Sequence, residues 1–402
     1  MIDKSNYVPV VISAKRTPIG KFQGSLASLG AVDLGAQAVR QALKGIPSEL
    51  LPQIDEVIIG NVVSAGLGQA PARQVAIAAG IPSQVGSLTI NKVCGSGLKS
   101  ISLATTSILA GEGQLFVAGG MESMSGAPYL MHGRNGELRF GHTKLVDSLL
   151  ADGLWDPFEN WGMGNAAELI AKKYAISRSE MDEYALASHQ KALAARAAGS
   201  FLMEIVPVPL ADKKGNSTTV SQDESPRDGI TIEALEKLKP AFEAQGVVTA
   251  GNSSPMSDGA AACVISSERW AKEMGIKPMA RIVAFAQAAV EPRFLFDAPS
   301  LAIPKVLQKS GWKMADLDLI ELNEAFAAQT LANGKALADS GWDWSKVNIY
   351  GGAIALGHPL GASGTRVLVT LLHALNKTGG SKGLACLCLG GGEAVALTVE
   401  RL

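Results

Sequence analysis

The sequence predicts an α/β protein made of two similar halves with a different segment between them. Three observations lead to this prediction. Short apolar runs alternate with segments of helical spacing, 44 glycines accompany only 5% aromatic residues, and one order of elements occurs twice along the chain. Many glycines with few aromatic residues suit an α/β enzyme, with its tight turns and close backbone approaches, better than a helical bundle.

The composition and net charge argue against two classes of binding partner. The chain has 402 residues, 47% of them hydrophobic, and a formal net charge of -1. This charge argues against a nucleic-acid or membrane-surface role driven by bulk charge. No apolar run reaches the roughly 18 residues of a membrane helix, and residues 1–6 do not resemble a secretion signal. We therefore expect a cytoplasmic protein without nucleic-acid or membrane partners.

The cysteines give no reason to expect a metal. The four of them are too few and too scattered for a disulfide framework or a zinc site, and their positions are Cys94, Cys263, Cys386 and Cys388.

The first half begins with a strand over residues 8–13, which the turn residues 15–20 are expected to end. Three more strands are predicted at 54–60, 86–90 and 114–118, and helical spacing occurs over 34–43 and 96–110. Strands that alternate with helices predict a largely parallel sheet that is buried on both faces.

From residue 121 to 246 the alternation stops, and charged residues and turn clusters become frequent. Helices are plausible over 165–174 and 179–198, the second with Ser179 as its N-cap. We expect residues 121–246 to form an inserted, mostly solvent-facing domain. A strand follows this domain at 260–266.

The C-terminal part repeats the first half. A helix at 301–307, a strand at 317–323, a helix from Gly361 to about 376 and a strand at 383–389 follow in turn, and glycines close the series as they do after residue 118. We therefore divide the chain into a first half (1–120 and 247–272), an inserted domain (121–246) and a second half (273–402).

Cys94 lies where a predicted strand meets a predicted helix. The helix N-terminus should lower the pKa of its thiol, and the neighbouring glycines should let a substrate approach the backbone. The alternative is a buried structural cysteine. If the two halves pack with pseudo-twofold symmetry, Cys94 faces His358. Asn323 and Cys388 should reach the same cleft, because open α/β sheets bind ligands at the carboxyl ends of their strands.

These side chains suit acyl transfer. A neutral His358 can take the proton of a thiol and so activate it, although a turn histidine that only caps backbone groups is the alternative. A second thiol can act as acid or base at carbon, and N–H groups of a glycine turn can stabilise an oxyanion. Cys386 and Cys388 should point to the same side of a strand, so spacing alone leaves both possible, while the adjacent glycine turn favours Cys388.

Four motifs in this order resemble those of the thiolase family, and the likeness extends over essentially the whole chain. The motifs are Val93-Cys94-Gly95-Ser96-Gly97, Asn323-Glu324-Ala325-Phe326-Ala327, Gly357-His358-Pro359-Leu360-Gly361 and Cys388-Leu389-Gly390-Gly391-Gly392. The resemblance implies a thiolase-like fold, in which two repeated halves form the layers α-β-α-β-α and carry an inserted loop domain. It also favours Cys388 over Cys386.

The resemblance further implies a reversible Claisen condensation of two acetyl-CoA molecules to acetoacetyl-CoA and CoA. Cys94, activated by His358, would accept the acyl group, and Cys388 would deprotonate the second acetyl-CoA. One oxyanion site would use the N–H groups of Cys94 and Gly390, and the other His358 with a water on Asn323. Family members use no metal or prosthetic group, so the CoA thioesters are substrates and no cofactor is expected.

By the same resemblance, the inserted domain binds CoA. Arg227 would lie near the adenine and phosphate end, Leu154, Met163 and Phe242 along the pantetheine channel, and Ser254 on a pantetheine amide, with Phe326 also at the substrate. Ordinary core packing is the alternative for the apolar residues, and a solvated loop charge is the alternative for Arg227.

Two departures from the family pattern affect the expected substrate. Gly162 stands where short-chain members often have histidine, which leaves room for longer chains. The loop 291–299 and the segment 281–286 are closer to acetoacetyl-CoA-cleaving members of the mitochondrial type. We expect acetoacetyl-CoA as substrate, with a 3-ketoacyl-CoA thiolase of broader or longer chain length in β-oxidation as the alternative.

Two more distant readings are a β-ketoacyl synthase and a non-catalytic acyl-CoA-binding protein. The first should have histidine or asparagine in place of Cys388, and the second should lack Cys94 or His358.

The basic residues of one segment resemble the loop by which tetrameric thiolases associate, so we expect a homotetramer built from dimers. These residues are His132, Arg134, Arg139, His142 and Lys144.

Overall fold

The computed structural model describes residues 7–131, 133, 140–211 and 217–402. Its strands are β1 (Pro9–Arg16), β2 (Gly20–Lys21), β3 (Glu56–Gly60), β4 (Gly86–Ile90), β5 (Leu115–Ser123), β6 (Tyr129–Leu130), β7 (Val146–Asp147), β8 (Trp155–Asp156), β9 (Trp161–Gly162), β10 (Val208–Ala211), β11 (Ser217–Val220), β12 (Ser257–Ser267), β13 (Ala280–Ala289), β14 (Leu319–Leu322), β15 (Lys382–Leu389) and β16 (Glu393–Arg401).

The α-helices are α1 (Ala31–Ala42), α2 (Pro71–Ala78), α3 (Ser96–Ala110), α4 (Met163–Lys173), α5 (Arg178–Ala197), α6 (Ile232–Glu236), α7 (Glu268–Glu273), α8 (Ala298–Ser310), α9 (Ala327–Ala336), α10 (Ala353–Leu356) and α11 (Leu360–Thr378). Short helical segments of other types lie at Leu43–Gly45, Ser48–Gln53, Leu150–Leu154, Pro292–Asp297, Met314–Asp316, Ala338–Ser340 and Trp344–Lys346.

Ten strands form the main sheet, in the order β14-β15-β16-β13-β1-β12-β5-β3-β4, with β2 added beside β12. The expected largely parallel pairing is wrong. Only β3 with β4, β3 with β5 and β14 with β15 run parallel among the pairs of this sheet. The reason is visible at the turn 390–392, since a turn of three residues can join β15 to β16 only as an antiparallel hairpin.

The predicted repeat is confirmed by the strand topology. In the first half β3 runs parallel to β5, which pairs antiparallel with β12, which in turn pairs antiparallel with β1. In the second half β14, β15, β16 and β13 follow the same pattern. The single parallel bridge from Ile320 to Val347 stands where β4 pairs with β3.

Five layers result, as the fold class predicted. The hydrophobic faces of α3 and α11 form a central core between the two halves of the sheet, with Leu98, Ile101, Leu368 and Leu371 fully buried. Helices α1 and α2 cover the outer face of the first half, and α8 covers that of the second half. The two helices that precede matching strands therefore meet in the middle of the molecule.

Several element boundaries differ from the predictions. Strand β1 continues through residues 15 and 16, because Arg16 is fully buried and pairs with Glu204 and Asp223. Strand β5 continues to Ser123 because its last residues pair with β12. Strands β13 and β16 were not predicted, although both are long.

The predicted N-cap of α5 was also wrong. Ser177 caps this helix, since its hydroxyl accepts the Glu180 N–H and the Glu180 carboxylate accepts the Ser177 N–H in return. Ser179 lies inside the first turn and donates to Glu183.

Candidate active site

A strained loop carries Cys94. Strand β4 ends at Ile90 and α3 begins at Ser96, so five residues make the turn. Val93 has φ +46°, which a β-branched residue adopts only under constraint. The constraint comes from Asn91, whose side chain accepts the Val93 N–H at 2.9 Å, and from Ser96, whose hydroxyl donates to the Val93 carbonyl at 2.7 Å. Cys94 therefore stands at the start of a buried helix.

The glycines around Cys94 lie where the two halves of the protein pack together. A Cβ on Gly97 would lie 2.6 Å from Thr365 Oγ1, and a Cβ on Gly95 would meet the side chains of Leu389 and Val395. Both positions thus face the second half of the protein. They permit close packing of the halves, and approach of a substrate to this backbone stays a prediction.

His358 enters from the matching loop of the second half. It follows α10 and Gly357, whose φ of +113° favours glycine. Ser363 Oγ donates to the Pro359 carbonyl at 2.8 Å and lies 2.6 Å from His358 Nδ1. Since the hydroxyl hydrogen is engaged, we infer that Nδ1 carries the ring proton and that Nε2 is the unprotonated, accepting nitrogen. Asn323 Nδ2 lies 3.5 Å from Nε2.

A small cavity of about 70 Å³ brings these groups together. Cys94, His358, Cys388 and Gly390 all line it. Asn323 is not among the residues described as lining the cavity, but its Nδ2 lies 3.5 Å from Nε2 of His358, which does line it. Cys386 is fully buried in the core beside α8, so the structure places Cys388, and not Cys386, at the cavity.

Burial keeps both thiols protonated near neutral pH. It raises the pKa of Cys94 to about 11, although a hydrogen bond from the Gly390 N–H acts in the opposite direction. The expectation that the helix N-terminus lowers this pKa is therefore wrong, because desolvation of the thiolate outweighs the backbone donors. Burial, and then the neighbouring Cys94, raises the pKa of Cys388 well above its usual range.

His358 is neutral in this environment. Burial, followed by the charge of Arg366, lowers its pKa to about 3. A neutral imidazole with a free Nε2 can accept the proton of a thiol as that thiol attacks a carbonyl. The site is thus arranged for proton transfer during attack, and not for a preformed thiolate.

A larger cleft of about 560 Å³ opens beside the cavity. It is lined by all six residues predicted to contact CoA, namely Leu154, Met163, Arg227, Phe242, Ser254 and Phe326. Leu154, Met163, Ser254 and Phe326 also line the small cavity. The cleft and the cavity are therefore neighbouring parts of one site.

Backbone contacts join the two halves at the cleft. The Ser254 N–H donates to the Ala325 carbonyl at 3.1 Å, and the Ala327 N–H donates to the Asn252 carbonyl at 2.9 Å. The backbone of Arg227 is held in place by His189, because the Arg227 N–H donates to His189 Nδ1 at 3.2 Å. Gly162 lies in the cleft wall, and a Cβ there would meet only Asn165 Oδ1 at 3.6 Å.

Sequence reasoning missed several buried polar residues that hold the site. Ser363 orients His358. Glu122 accepts N–H groups of Val62, Val63 and Gly361 and so ties the first half to the start of α11. Burial raises the pKa of Glu122 to about 7 despite these donors. The position of Glu122 in an apolar strand was the sequence signal that could have identified it, because a buried carboxylate needs partners.

The structure describes two of the five residues of the basic segment. His142 and Lys144 are exposed, whereas His132, Arg134 and Arg139 lie outside the described residues. Within the described ranges no group of three His, Cys, Asp or Glu side chains is arranged to hold a metal ion. No helix in the part of the chain that the structure describes is both long and apolar enough to cross a membrane.

Comparisons with known proteins agree with this architecture. The model "Thiolase, N-terminal domain" matches residues 9–269, and "Thiolase, C-terminal domain" matches residues 276–401. The chain is 52% identical over 392 residues to the acetyl-CoA acetyltransferase of Pseudomonas aeruginosa, covering 98% of this chain and 99% of that one. It is 50% identical over 394 residues to the acetyl-CoA acetyltransferase of Cupriavidus necator, with the same coverage.

A solved structure extends the likeness to three dimensions. The crystal structure of the Bacillus anthracis acetyl-CoA acetyltransferase superposes with a TM-score of 0.94 at 41% identity, covering 98% of this chain and 99% of that one. The chain belongs to the thiolase family.

Proposed function

We propose that the chain catalyses the reversible condensation of two acetyl-CoA molecules to acetoacetyl-CoA and CoA through an acyl group on Cys94. The observation that carries this proposal is the meeting of two thiols, one neutral imidazole and the Gly390 N–H in one small cavity beside a CoA-sized cleft. The names of the relatives from Pseudomonas aeruginosa and Cupriavidus necator support the same activity.

In the first half-reaction Cys94 Sγ attacks the thioester carbonyl of acetyl-CoA, and its proton passes to His358 Nε2. The oxyanion is stabilised by the N–H groups of Cys94 and Gly390. When the carbon–sulfur bond to CoA breaks, Cys388 gives its proton to the leaving sulfur. CoA departs, and acyl-Cys94, an imidazolium and the Cys388 thiolate remain.

In the second half-reaction the Cys388 thiolate takes a proton from the methyl group of another acetyl-CoA. His358 and a water on Asn323 stabilise the resulting enolate. The carbanion attacks the acyl carbon on Cys94, whose sulfur leaves and recovers its proton from His358. The enzyme returns to its starting protonation state, and thiolytic cleavage follows the same steps in reverse.

A short acyl chain suits the cavity best. Leu295 and Phe296 line the cavity of about 70 Å³ in addition to the reactive groups. Such a wall favours a two-carbon acyl group on Cys94. The longer-chain alternative depends on Gly162, which leaves space in the cleft but does not line the cavity.

We also propose that the chain is divided into a first half (1–120 with 247–272), a middle segment (121–246) and a second half (273–402). The middle segment would bind CoA, and the protein would be a cytoplasmic homotetramer. The chemistry described above uses protein groups and CoA thioesters only, so we expect dialysis against a chelator to leave the activity unchanged.

Loss of acetoacetyl-CoA absorbance on addition of CoA tests the proposed function. We expect rapid loss, and a higher kcat/KM for the four-carbon than for the eight-carbon 3-ketoacyl-CoA. A clear preference for the eight-carbon substrate would favour the longer-chain alternative, and no turnover of either would contradict thiolase activity.

A further inference from the structure

A buried arginine lies behind the reactive groups. Arg366, in α11, is 2% exposed, and its Nη1 lies 3.2 Å from Oε2 of Glu321, which is equally buried. Its Nη2 donates to Asn323 Oδ1 at 3.4 Å. Desolvation of two charges is costly, and apolar residues often replace such a pair without loss of stability. The contact with Asn323 offers a reason for the pair within the site.

Arg366 determines which way the Asn323 amide points. An amide side chain has one acceptor end and one donor end, whereas a guanidinium has donors only. Oδ1 therefore faces Arg366, and Nδ2 faces His358 Nε2 at 3.5 Å. A rotated amide would place its NH₂ group against the guanidinium donors.

The hydrogen bonds beyond His358 agree in direction. The Ser363 hydroxyl donates to the Pro359 carbonyl and accepts the Nδ1 proton of His358. This leaves Nε2 as an acceptor that faces the Asn323 N–H. When His358 is neutral, each donor from Arg366 to Pro359 meets an acceptor, so the contacts of the resting site have one consistent arrangement.

We propose that Arg366, with Glu321 as its partner, is a positioning residue that acts through the Asn323 amide and keeps its N–H donor directed at His358 Nε2 and the adjoining cavity. This inference rests on the proposed function, in which Asn323 and His358 stabilise the enolate. Neither Arg366 nor Glu321 needs to touch the substrate, because the guanidinium acts only on the far end of the amide.

The charges of the pair are consistent with this role. The charge of Arg366 adds to the effect of burial in lowering the pKa of His358, which favours the neutral ring that the mechanism requires. Burial raises the pKa of Glu321, and Arg366 opposes this shift through the ion pair between them. The pair therefore holds a cation near the site without exposing it to solvent.

A double-mutant cycle tests the proposal. Thiolysis of acetoacetyl-CoA is measured for the wild type, Arg366→Met, Asn323→Ala and the double variant. We expect Arg366→Met alone to lower kcat by about tenfold or more, with KM for acetoacetyl-CoA changed by less than about twofold. In the Asn323→Ala background the same substitution should change kcat by less than about twofold, because its target is already absent.

Two further variants protect the test against a folding defect. Arg366→Met with Glu321→Gln removes both charges together, and it replaces Arg366→Met in the cycle if the single variant does not fold. Arg366→Lys keeps the charge but not the planar fork, so its kcat should lie between those of the wild type and Arg366→Met.

Equal losses of kcat with and without the Asn323 side chain would overturn the proposal, and so would a wild-type kcat in Arg366→Met. If the wild type itself does not cleave acetoacetyl-CoA, the proposed function fails. If it does, and Arg366→Met cleaves equally well, only the role of Arg366 fails.

Discussion

At the scale of residues, the reactive groups are neutral and are held in place by contacts that fix the position of each proton. Ser363 leaves His358 with a free Nε2. Burial raises the pKa of Cys94 and lowers that of His358. In the proposed mechanism, Cys94 therefore becomes a nucleophile only when its proton moves from sulfur to His358 Nε2.

The alkylation of Cys94 by iodoacetamide should therefore increase steadily with pH. This reagent attacks the thiolate, and a thiol with a pKa of about 11 is protonated near neutral pH. Mass spectrometry of the peptide that contains Cys94 measures the rate from about pH 6 to about pH 10, within the range where thiolate formation controls reactivity. Cys94→Ser gives the background from the other cysteines.

A plateau of the alkylation rate below about pH 8 would contradict this expectation. It would indicate that Cys94 and His358 already form a thiolate–imidazolium pair in the free enzyme.

Phe296 should limit the length of the acyl group. It is 2% exposed, packs edge-on against Phe326 with ring centroids 5.6 Å apart, and lines the cavity. Its carbonyl accepts a hydrogen bond from Asn333 Nδ2 at 2.7 Å, which fixes the loop. Phe296→Ala should raise the ratio of kcat/KM for the eight-carbon over the four-carbon 3-ketoacyl-CoA by about tenfold or more, since each added methylene then finds space.

The control is Phe294→Ala, because Phe294 belongs to the same turn but lies outside the described lining of the cavity. A ratio of substrates does not depend on the fraction of folded enzyme. The same ratio in both variants and the wild type would show that Phe296 does not limit chain length.

At the scale of elements, each half presents its reactive loop at the start of a central helix. The loop before α3 carries Cys94, and the loop before α11 carries His358. The close contact of the two helices sets how near the two loops lie. Gly97 is at this contact, with Thr365 opposite.

Gly97→Ala should therefore reduce both stability and activity. The new methyl carbon would lie 2.6 Å from Thr365 Oγ1 and 2.7 Å from the Thr365 backbone nitrogen, and the backbone cannot move without moving α11. Overpacking of this kind costs about 1–3 kcal/mol. Thermal unfolding and kcat for thiolysis measure the effect.

Gly45→Ala is the matched control, since Gly45 is exposed and a Cβ there meets nothing within 4 Å. If Gly97→Ala has the melting temperature and kcat of this control, the contact between the helices does not set the geometry of the site.

The repeat was predictable from the sequence, and so were the residues that meet in the small cavity, because both depend on local patterns. The runs around Cys94 and His358 are glycine-rich turns between recognisable strands and helices. Strand direction was not predictable in the same way, since β12 and β13 find their partners only after long connections. The pKa of Cys94 was also beyond the sequence, because its sign depends on burial by residues from both halves.

At the scale of the whole molecule, the proposed homotetramer depends on the basic segment. His142 and Lys144 are exposed, and the resemblance to tetrameric thiolases includes the segment to which they belong. Light scattering should give a tetramer for the wild type. Replacement of His132, Arg134, Arg139, His142 and Lys144 by Ser should give dimers, because the proposed assembly depends on these charges. A wild type that persists as a dimer would contradict the proposed assembly.

The central claim is that the two halves form one site in which Cys94 carries the acyl group and Cys388 performs the second step. Its most direct test is intact-mass measurement of the Cys388→Ala variant after mixing with acetyl-CoA, followed by mapping of the modified peptide. Because Cys388 also protonates the leaving CoA sulfur, we expect acylation of this variant to be slower, but to give one acetyl group on Cys94 after long incubation and no acetoacetyl-CoA, with no adduct in the Cys94→Ala variant. An unmodified Cys94, or an acetyl group on another residue in its place, would contradict the account.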